Sequence, residues 1–252
     1  SITIAIAAIG VVPLIYFFLQ ESPQSIGTTP YGAAEDWTPA PKSELSAFAL
    51  AIDTIKKAKS DRHFQILFFT FFVCGLSTNG LIGTHFIPAA HDHGMPTTVA
   101  ASLLALIGVF DVIGTIFSGY LTDRIDPRKL LFFYYGLRGL SLFLLPSILY
   151  STLHPSTLVF VIFYGLDWVA TVPPTIVLCR HVLGPQRATV VYGWVFVGHQ
   201  IGASVAAIGA AVLRVRLGDY AVSFYISAAM CLVAALAVLQ IAKTKTTAEL
   251  RG

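Results

Sequence analysis

The sequence predicts an all-α integral membrane protein, and three observations carry that expectation. Apolar residues make up 56% of the 252-residue chain and charged residues only 12%, where a soluble domain carries about a quarter charged. The charges are clustered, which leaves several nearly uncharged runs of about twenty residues, the length a helix needs to cross the ~30 Å hydrocarbon layer. The cations are also unevenly shared between the two ends of those runs. Successive spans alternate direction, so one side collects Lys42, Lys56, Lys57, Lys59, Arg62, Arg124, Arg128, Lys129, Arg180, Arg187, Lys243, Lys245 and Arg251, and the other only Arg214 and Arg216. Thirteen cations against two place the first side, with the C-terminus, in the cytoplasm. The net charge of +3 adds little, because distribution rather than sum orients a membrane protein.

Seven candidate spans follow in order. Ser1 to Gln20 is the first; it begins inside an apolar run with neither an initiating Met nor a basic leader, as a segment of a longer protein would. Residues 21–62 form a polar cytoplasmic connection with Pro23, Pro30, Pro39 and Pro41, ending in an amphipathic helix from Ser43 to Lys59. A bundle of six spans occupies residues 63–242: roughly Phe64 to Ala90, Thr97 to Gly119, Leu130 to Tyr150, Thr157 to Cys179, Ala188 to Leu213 and Tyr220 to Ile241. Residues 243–252 make a cytoplasmic tail. Gly75, Gly80 and Gly83 weaken the regularity of the second span, and Pro173-Pro174 must kink or break the fifth. Gly198, Gly202 and Ala206 recur every four residues, a small-residue stripe suited to close helix contact. Cys74, Cys179 and Cys231 lie in apolar runs without C-x-x-C spacing and read as packing residues.

Between the third and fourth spans a short charged turn reads Gly119-Tyr120-Leu121-Thr122-Asp123-Arg124-Ile125-Asp126-Pro127-Arg128-Lys129. Glycine allows two backbones to approach closely. Asp123 can accept from unpaired N–H groups at a helix start, and Arg124, Arg128 and Lys129 hold the turn on the cytoplasmic side. The turn resembles the loop signature G-x-L-x-D-R-x-G-R-K of the major facilitator superfamily, with Asp126-Pro127 where that signature has one glycine. The resemblance implies the family's six-helix C-terminal bundle plus one preceding transmembrane helix, its sixth. The opening of the connection, Glu21-Ser22-Pro23-Gln24-Ser25-Ile26-Gly27 and Pro30-Tyr31-Gly32, is similar to the segment after that sixth helix. Gly119, Asp123, Arg124, Arg128 and Lys129 would then form a conformational latch against the missing N-terminal half of the same transporter.

Ionisable groups deep in spans need partners or water, because a charge at the bilayer centre costs at least ~2.5–3.5 kcal/mol. Asp111 lies eight residues before Gly119 and Arg138 eight after Leu130, so both sit ~12 Å from the cytoplasmic edge on successive helices. They are expected to pair; the functional alternative is that one exchanges partner or binds substrate. Asp167 and His199, ten and eleven residues into their spans, fall ~15–17 Å from opposite faces, near the midplane. By resemblance they stand on helices ten and eleven, at the central cavity. There they are candidates for the substrate or proton pathway, since histidine titrates near neutrality. Trp168, Tyr164, Trp194 and Gln200 would complete a polar–aromatic pocket, and Asn79, with Thr78 and Ser77, would line the same route. The structural alternatives are a cap for a kinked helix at Asp167 and ordinary interhelical bonds elsewhere.

His85, His91, Asp92 and His93 share residue types with metal sites, but no metal site is expected of them. Nothing resembles a phosphate-cradling loop or a nucleophile elbow, so neither enzyme chemistry nor a cofactor is expected, and no nucleic-acid partner. The expected partners are the lipid bilayer and a small-molecule solute. Phe163-Tyr164-Gly165-Leu166-Asp167-Trp168 and Pro173-Pro174 are similar to bacterial members near the monocarboxylate and oxalate–formate branch. That branch tends to place a cation on helix eight or eleven to hold carboxylates; here those helices offer Asp111 and His199. By resemblance the chain is part of a secondary transporter of the bacterial plasma membrane that works by alternating access and is proton-coupled. A non-transporting receptor or assembly module made from a transporter half is the competing expectation.

Overall fold

The computed structural model describes residues 2–20, 22–29 and 45–243. The loop stretch with Lys42 and the expected tail with Lys245 and Arg251 lie outside them. The described residues form helices and turns, with no strand among them. The chain divides into two compact units, Ser1–Glu44 and Leu45–Gly252. In the first, α1 (Ile2–Phe18) is a 17-residue apolar helix with Pro13 inside it, and a 3-10 turn follows at Pro23–Ile26. Seventeen residues extend only ~25 Å, so α1 is shorter than the spans of the second unit.

The second unit opens with the expected amphipathic helix, α2 (Ala47–Ala58), whose start is capped by Ser46. Its Thr54 and Ala58 are buried. Lys57 and then Arg187, both bonded to Asp53, hold that carboxyl below the usual range. Asp61 ends the connection by accepting the amides of His63 at 2.7 Å and Phe64 at 3.1 Å, which satisfies two orphan donors of the next helix.

Six candidate membrane spans follow. The first combines α3 (Arg62–Gly75), a π segment (Leu76–Ile82) and α4 (Gly83–Asp92). Next come α5 (Thr97–Thr122) and α6 (Pro127–Ile148). The fourth is broken into α7 (Pro155–Asp167) and α8 (Val172–Leu183), and α9 (Ala188–Leu217) and α10 (Ala221–Val238) complete the set. The six-helix bundle is therefore as expected. Ile116, Phe133, Leu137, Phe143 and Leu236 are exposed, an apolar surface of the kind that faces lipid or another protein rather than water.

Three helix pairs build the unit, and each is drawn together by glycine. Between α3 and α9, a Cβ on Gly75 would stand 1.9 Å from the His199 carbonyl oxygen, and one on Gly202 1.9 Å from that of Phe72. The α9 stripe thus packs as its spacing implies. Between α5 and α7, a Cβ on Gly114 would meet the Leu166 carbonyl at 1.9 Å, and one on Gly165 the Ile107 carbonyl at 2.7 Å. Gly139 brings α6 against Ala228 of α10, where a Cβ would be 2.9 Å from the carbonyl. Without a hydrophobic drive between helices in lipid, such backbone proximity is the main source of association.

Candidate functional site

Two spans lose their regularity side by side at mid-membrane. In the first span the three glycines expected to weaken it bound or sit within the π segment, a wide turn that is rare outside functional sites. In the fourth span the interruption lies at residues 168–171, just upstream of Pro173-Pro174. The displacement has a simple cause. A proline at position i deprives the carbonyl at i−4 of its donor, so the carbonyls freed by Pro173 and Pro174 are those of Val169 and Ala170.

Those carbonyls find other donors. Val169 accepts from the amide of Val172 at 2.9 Å, and Ala170 accepts from the Ser118 hydroxyl of α5 at 2.6 Å. The preceding two are taken by Arg138 of α6, whose Nη2 donates to the Asp167 carbonyl at 2.6 Å and the Trp168 carbonyl at 3.3 Å. On the opposite side of the break, Asp111 Oδ1 accepts the Val169 amide at 2.9 Å. The charges suit the dipoles: a cation closes the C-terminal end of α7, and an anion takes an amide leading into α8.

Arg138 does not pair with Asp111, contrary to the depth argument. Its Nε donates to Asp167 Oδ2 at 2.6 Å. Depth places two residues at one level but says nothing about the direction each faces around its helix, and Arg138 faces α7. Its Nη1 reaches Cys74 Sγ at 3.2 Å and Ser77 Oγ at 3.4 Å, in the first span. Arg138 is 1% exposed, the bulkiest fully buried side chain among the described residues. Asp111 is half-buried and also accepts from the Thr115 hydroxyl at 3.1 Å.

The residues expected to share one pocket separate into three groups. Asn79 is exposed on the π segment, and its Nδ2 donates to His199 Nε2 at 3.4 Å. The His199 ring is buried, stacked on Phe196 with centroids 5.2 Å apart. Trp168 is half-exposed, and Gln200 lies in a shallow groove of about 400 Å³ along α9. Asp167 and Tyr164 form the second group, behind that surface: Asp167 is 9% exposed and Tyr164 1%. The Tyr164 hydroxyl donates to the Ser77 carbonyl at 2.8 Å, so it braces the π segment from within. Trp194 stands apart, its indole N–H donating to the Ala51 carbonyl of α2 at 2.9 Å. It lies six residues into α9, ~9 Å along the helix, and fastens α2 to the N-terminal end of α9, away from mid-span.

Cys74, Ser77, Ser118 and Thr171 complete the arrangement and were not singled out together by the sequence. Cys74 Sγ and Thr171 Oγ1 share a hydrogen bond at 3.3 Å. The available signal is small polar residues within one turn of a glycine or proline in otherwise apolar spans. The histidine-rich stretch 85–93 is used structurally: His85 Nε2 donates to the Ala207 carbonyl at 2.9 Å, and Asp92 accepts Arg214 at 2.6 Å.

The residues of the 119–129 turn take the following positions in this chain. A Cβ on Gly119 would meet nothing within 4 Å. Arg124 stacks over the Tyr120 ring at 3.6 Å, and Asp123 and Lys129 are exposed. Arg128 is engaged within the chain. It grips Asp126 at 2.6 Å and donates to the Ile241 carbonyl at 2.8 Å, tying the start of α6 to the end of α10. Asp126-Pro127, the departure from the signature, is a helix start: Asp126 caps and Pro127 occupies the first turn.

The sequence matches the model of the Major Facilitator Superfamily over residues 1–207. It is 29% identical over 123 residues to the Uncharacterized MFS-type transporter YcxA of Bacillus subtilis, covering 46% of this chain and 29% of that protein. It is 30% identical over 161 residues to Monocarboxylate transporter 13 of Rattus norvegicus, covering 60% and 37%. With Monocarboxylate transporter 12 of Xenopus laevis the identity is 29% over 148 residues, covering 57% and 31%. The chain therefore spans about a third of the length of the curated relatives it matches.

Proposed function

Given that the chain belongs to the major facilitator superfamily, we propose that it forms part of a secondary transporter moving a small monocarboxylate with a proton by alternating access. Its relatives are named as transporters, two of them of monocarboxylates. The observation that carries the reading is the juxtaposition of two interrupted spans, with Asn79 and Trp168 at the exposed edge and the buried His199 imidazole against Asn79. Transporter sites are built from such broken helices near the midplane.

The chemistry of that edge favours a solute carried in net neutral form. Arg138 is the cation at this level among the described residues, and Asp167 and main-chain carbonyls occupy it fully. The exposed edge offers an amide and an indole, with the His199 imidazole buried behind the amide. A carboxylate that arrives with a proton presents no net charge to such a wall, whereas a bare carboxylate needs a cation from the N-terminal half. His199 is the proposed proton carrier, a buried ionisable ring held 3.4 Å from the exposed Asn79 amide. The unequal cation count supports a cytoplasmic side for the turn at 119–129 and the C-terminus, in what is by resemblance a bacterial cell.

The test is uptake of radiolabelled L-lactate and pyruvate by the full-length protein in proteoliposomes under an inward proton gradient. Wild-type protein is expected to accumulate label above equilibrium. His199→Gln is expected to equilibrate label without accumulating it, and Asn79→Ala to raise KM about tenfold. Gradient-driven accumulation that persists in His199→Gln removes the histidine from coupling. Absence of uptake by the wild type rejects monocarboxylate transport.

A further inference from the structure

Arg138 spends its whole donor set inside the unit. Nε serves the Asp167 carboxylate, Nη2 two main-chain carbonyls of the α7–α8 break, and Nη1 the Cys74 thiol and Ser77 hydroxyl beside the π segment. One ionic contact would suffice to neutralise Asp167. The contacts to Asp167 and Trp168 carbonyls concern groups that lack helical donors because the span is broken. The contacts to Cys74 and Ser77 reach the other irregular span, where Tyr164 adds a second tie from α7 to the Ser77 carbonyl.

We propose that Arg138 is a positioning residue for transport, clamping the break at 168–171 to the π segment so that the two irregular spans move as one body. This rests on the transport reading above and adds to it a residue that never meets the solute. Only a planar, forked donor can hold a carboxylate, two carbonyls and a thiol in three directions at once; an ammonium cannot. With the clamp in place, a solute that draws on Trp168 at one break moves Asn79 at the other. Without it, each break relaxes independently, and the solute still binds while the change of access becomes rare. The loss then falls on turnover rather than affinity.

The full-length protein in lipid nanodiscs and proteoliposomes provides the test. Hydrogen–deuterium exchange is followed in peptides covering 76–82 and 165–172, alongside L-lactate uptake. Arg138→Lys keeps the charge and loses the fork. It is expected to speed exchange in both segments together, and to lower Vmax about tenfold with KM within about twofold. The double variant Arg138→Gln/Asp167→Asn keeps volume and neutrality and guards against a variant that merely unfolds. It is expected to melt close to wild type while its Vmax stays depressed. Recovery of Vmax along with melting temperature in the double variant would show a buried ion pair and no more. Faster exchange confined to 165–172, or a raised KM with Vmax intact, would likewise overturn the clamp. If wild-type protein takes up no lactate, the transport reading fails, and the exchange measurement alone decides whether the two segments are coupled.

Discussion

A single methyl group separates two glycines that the sequence shows as equivalent small residues in apolar spans. At Gly75 the added carbon would stand 1.9 Å from a main-chain oxygen, which cannot turn aside as a side chain can. Gly75→Ala is therefore expected to lower the stability of this chain in detergent by about 1–3 kcal/mol or more. Gly119→Ala meets open space and is expected to be neutral or to gain up to about 1 kcal/mol from helix propensity; thermal unfolding of the two variants checks the contrast. Asp126 supports a second expectation. Burial pushes its carboxyl up, but hydrogen bonds from Arg128 outweigh burial and hold it below the usual range. A group depressed in the folded state contributes fully above its unfolded pKa of about 3.9 and loses that contribution as pH falls through the folded value. The stability gap between wild type and Asp126→Asn should be constant above about pH 5 and close below about pH 4. Asp126-Pro127 was legible as residue types yet not as a helix cap, because the family signature drew attention to the missing glycine. The Arg138 partner was illegible for a different reason: hydropathy and residue counting yield depth, while the angle around a helix is set by packing between segments distant in sequence.

At the scale of the element, the glycines and prolines announced both irregular spans, but only hydrogen-bond accounting locates the second break. Pro173 and Pro174 fall in the first turn of α8, where a missing N–H costs nothing. The cost appears four residues earlier, and Ser118 from another helix covers it at Ala170. That account makes a double-mutant prediction. Ser118→Ala alone leaves a buried carbonyl without a donor and is expected to cost about 1–3 kcal/mol. In a Pro174→Ala background the backbone N–H returns, so the same serine substitution should cost less than about 1 kcal/mol. Denaturant titration in mild detergent measures the cycle, and equal costs in both backgrounds would refute the assignment of Ser118 to that carbonyl. α2 follows the same logic at its own position. Its amphipathic pattern was readable, whereas its attachment through Trp194 and Arg187 was not, because a tryptophan in an apolar run looks the same whether it lines a cavity or fastens a neighbouring helix.

For the molecule as a whole, the features read most securely from sequence are those set by the solvent. The bilayer fixes span length and penalises every charge, so the six long apolar spans after residue 62 are written in composition, whereas the first expected span is a shorter apolar helix. Pairing of α3 with α9, α5 with α7 and α6 with α10 is not written there, since each depends on glycines meeting carbonyls in another span. Sidedness is also the property that the proposed mechanism can least do without: the latch turn and α2 must share one face, and the Asp92–Arg214 clasp must occupy the other. Impermeant maleimide labelling of single added cysteines in sealed vesicles tests it directly. The native thiols leave a low background, because Cys74, Cys179 and Cys231 are 2%, 0% and 0% exposed. Lys57→Cys and Lys129→Cys, both at exposed positions, should react only from the cytoplasmic side, and His91→Cys and Asp219→Cys only from the outside. Reaction of Lys129→Cys and Asp219→Cys from the same side would require an odd number of crossings lost between them. No alternating bundle of these six spans survives that result, because α6 to α9 must then cross the membrane an even number of times.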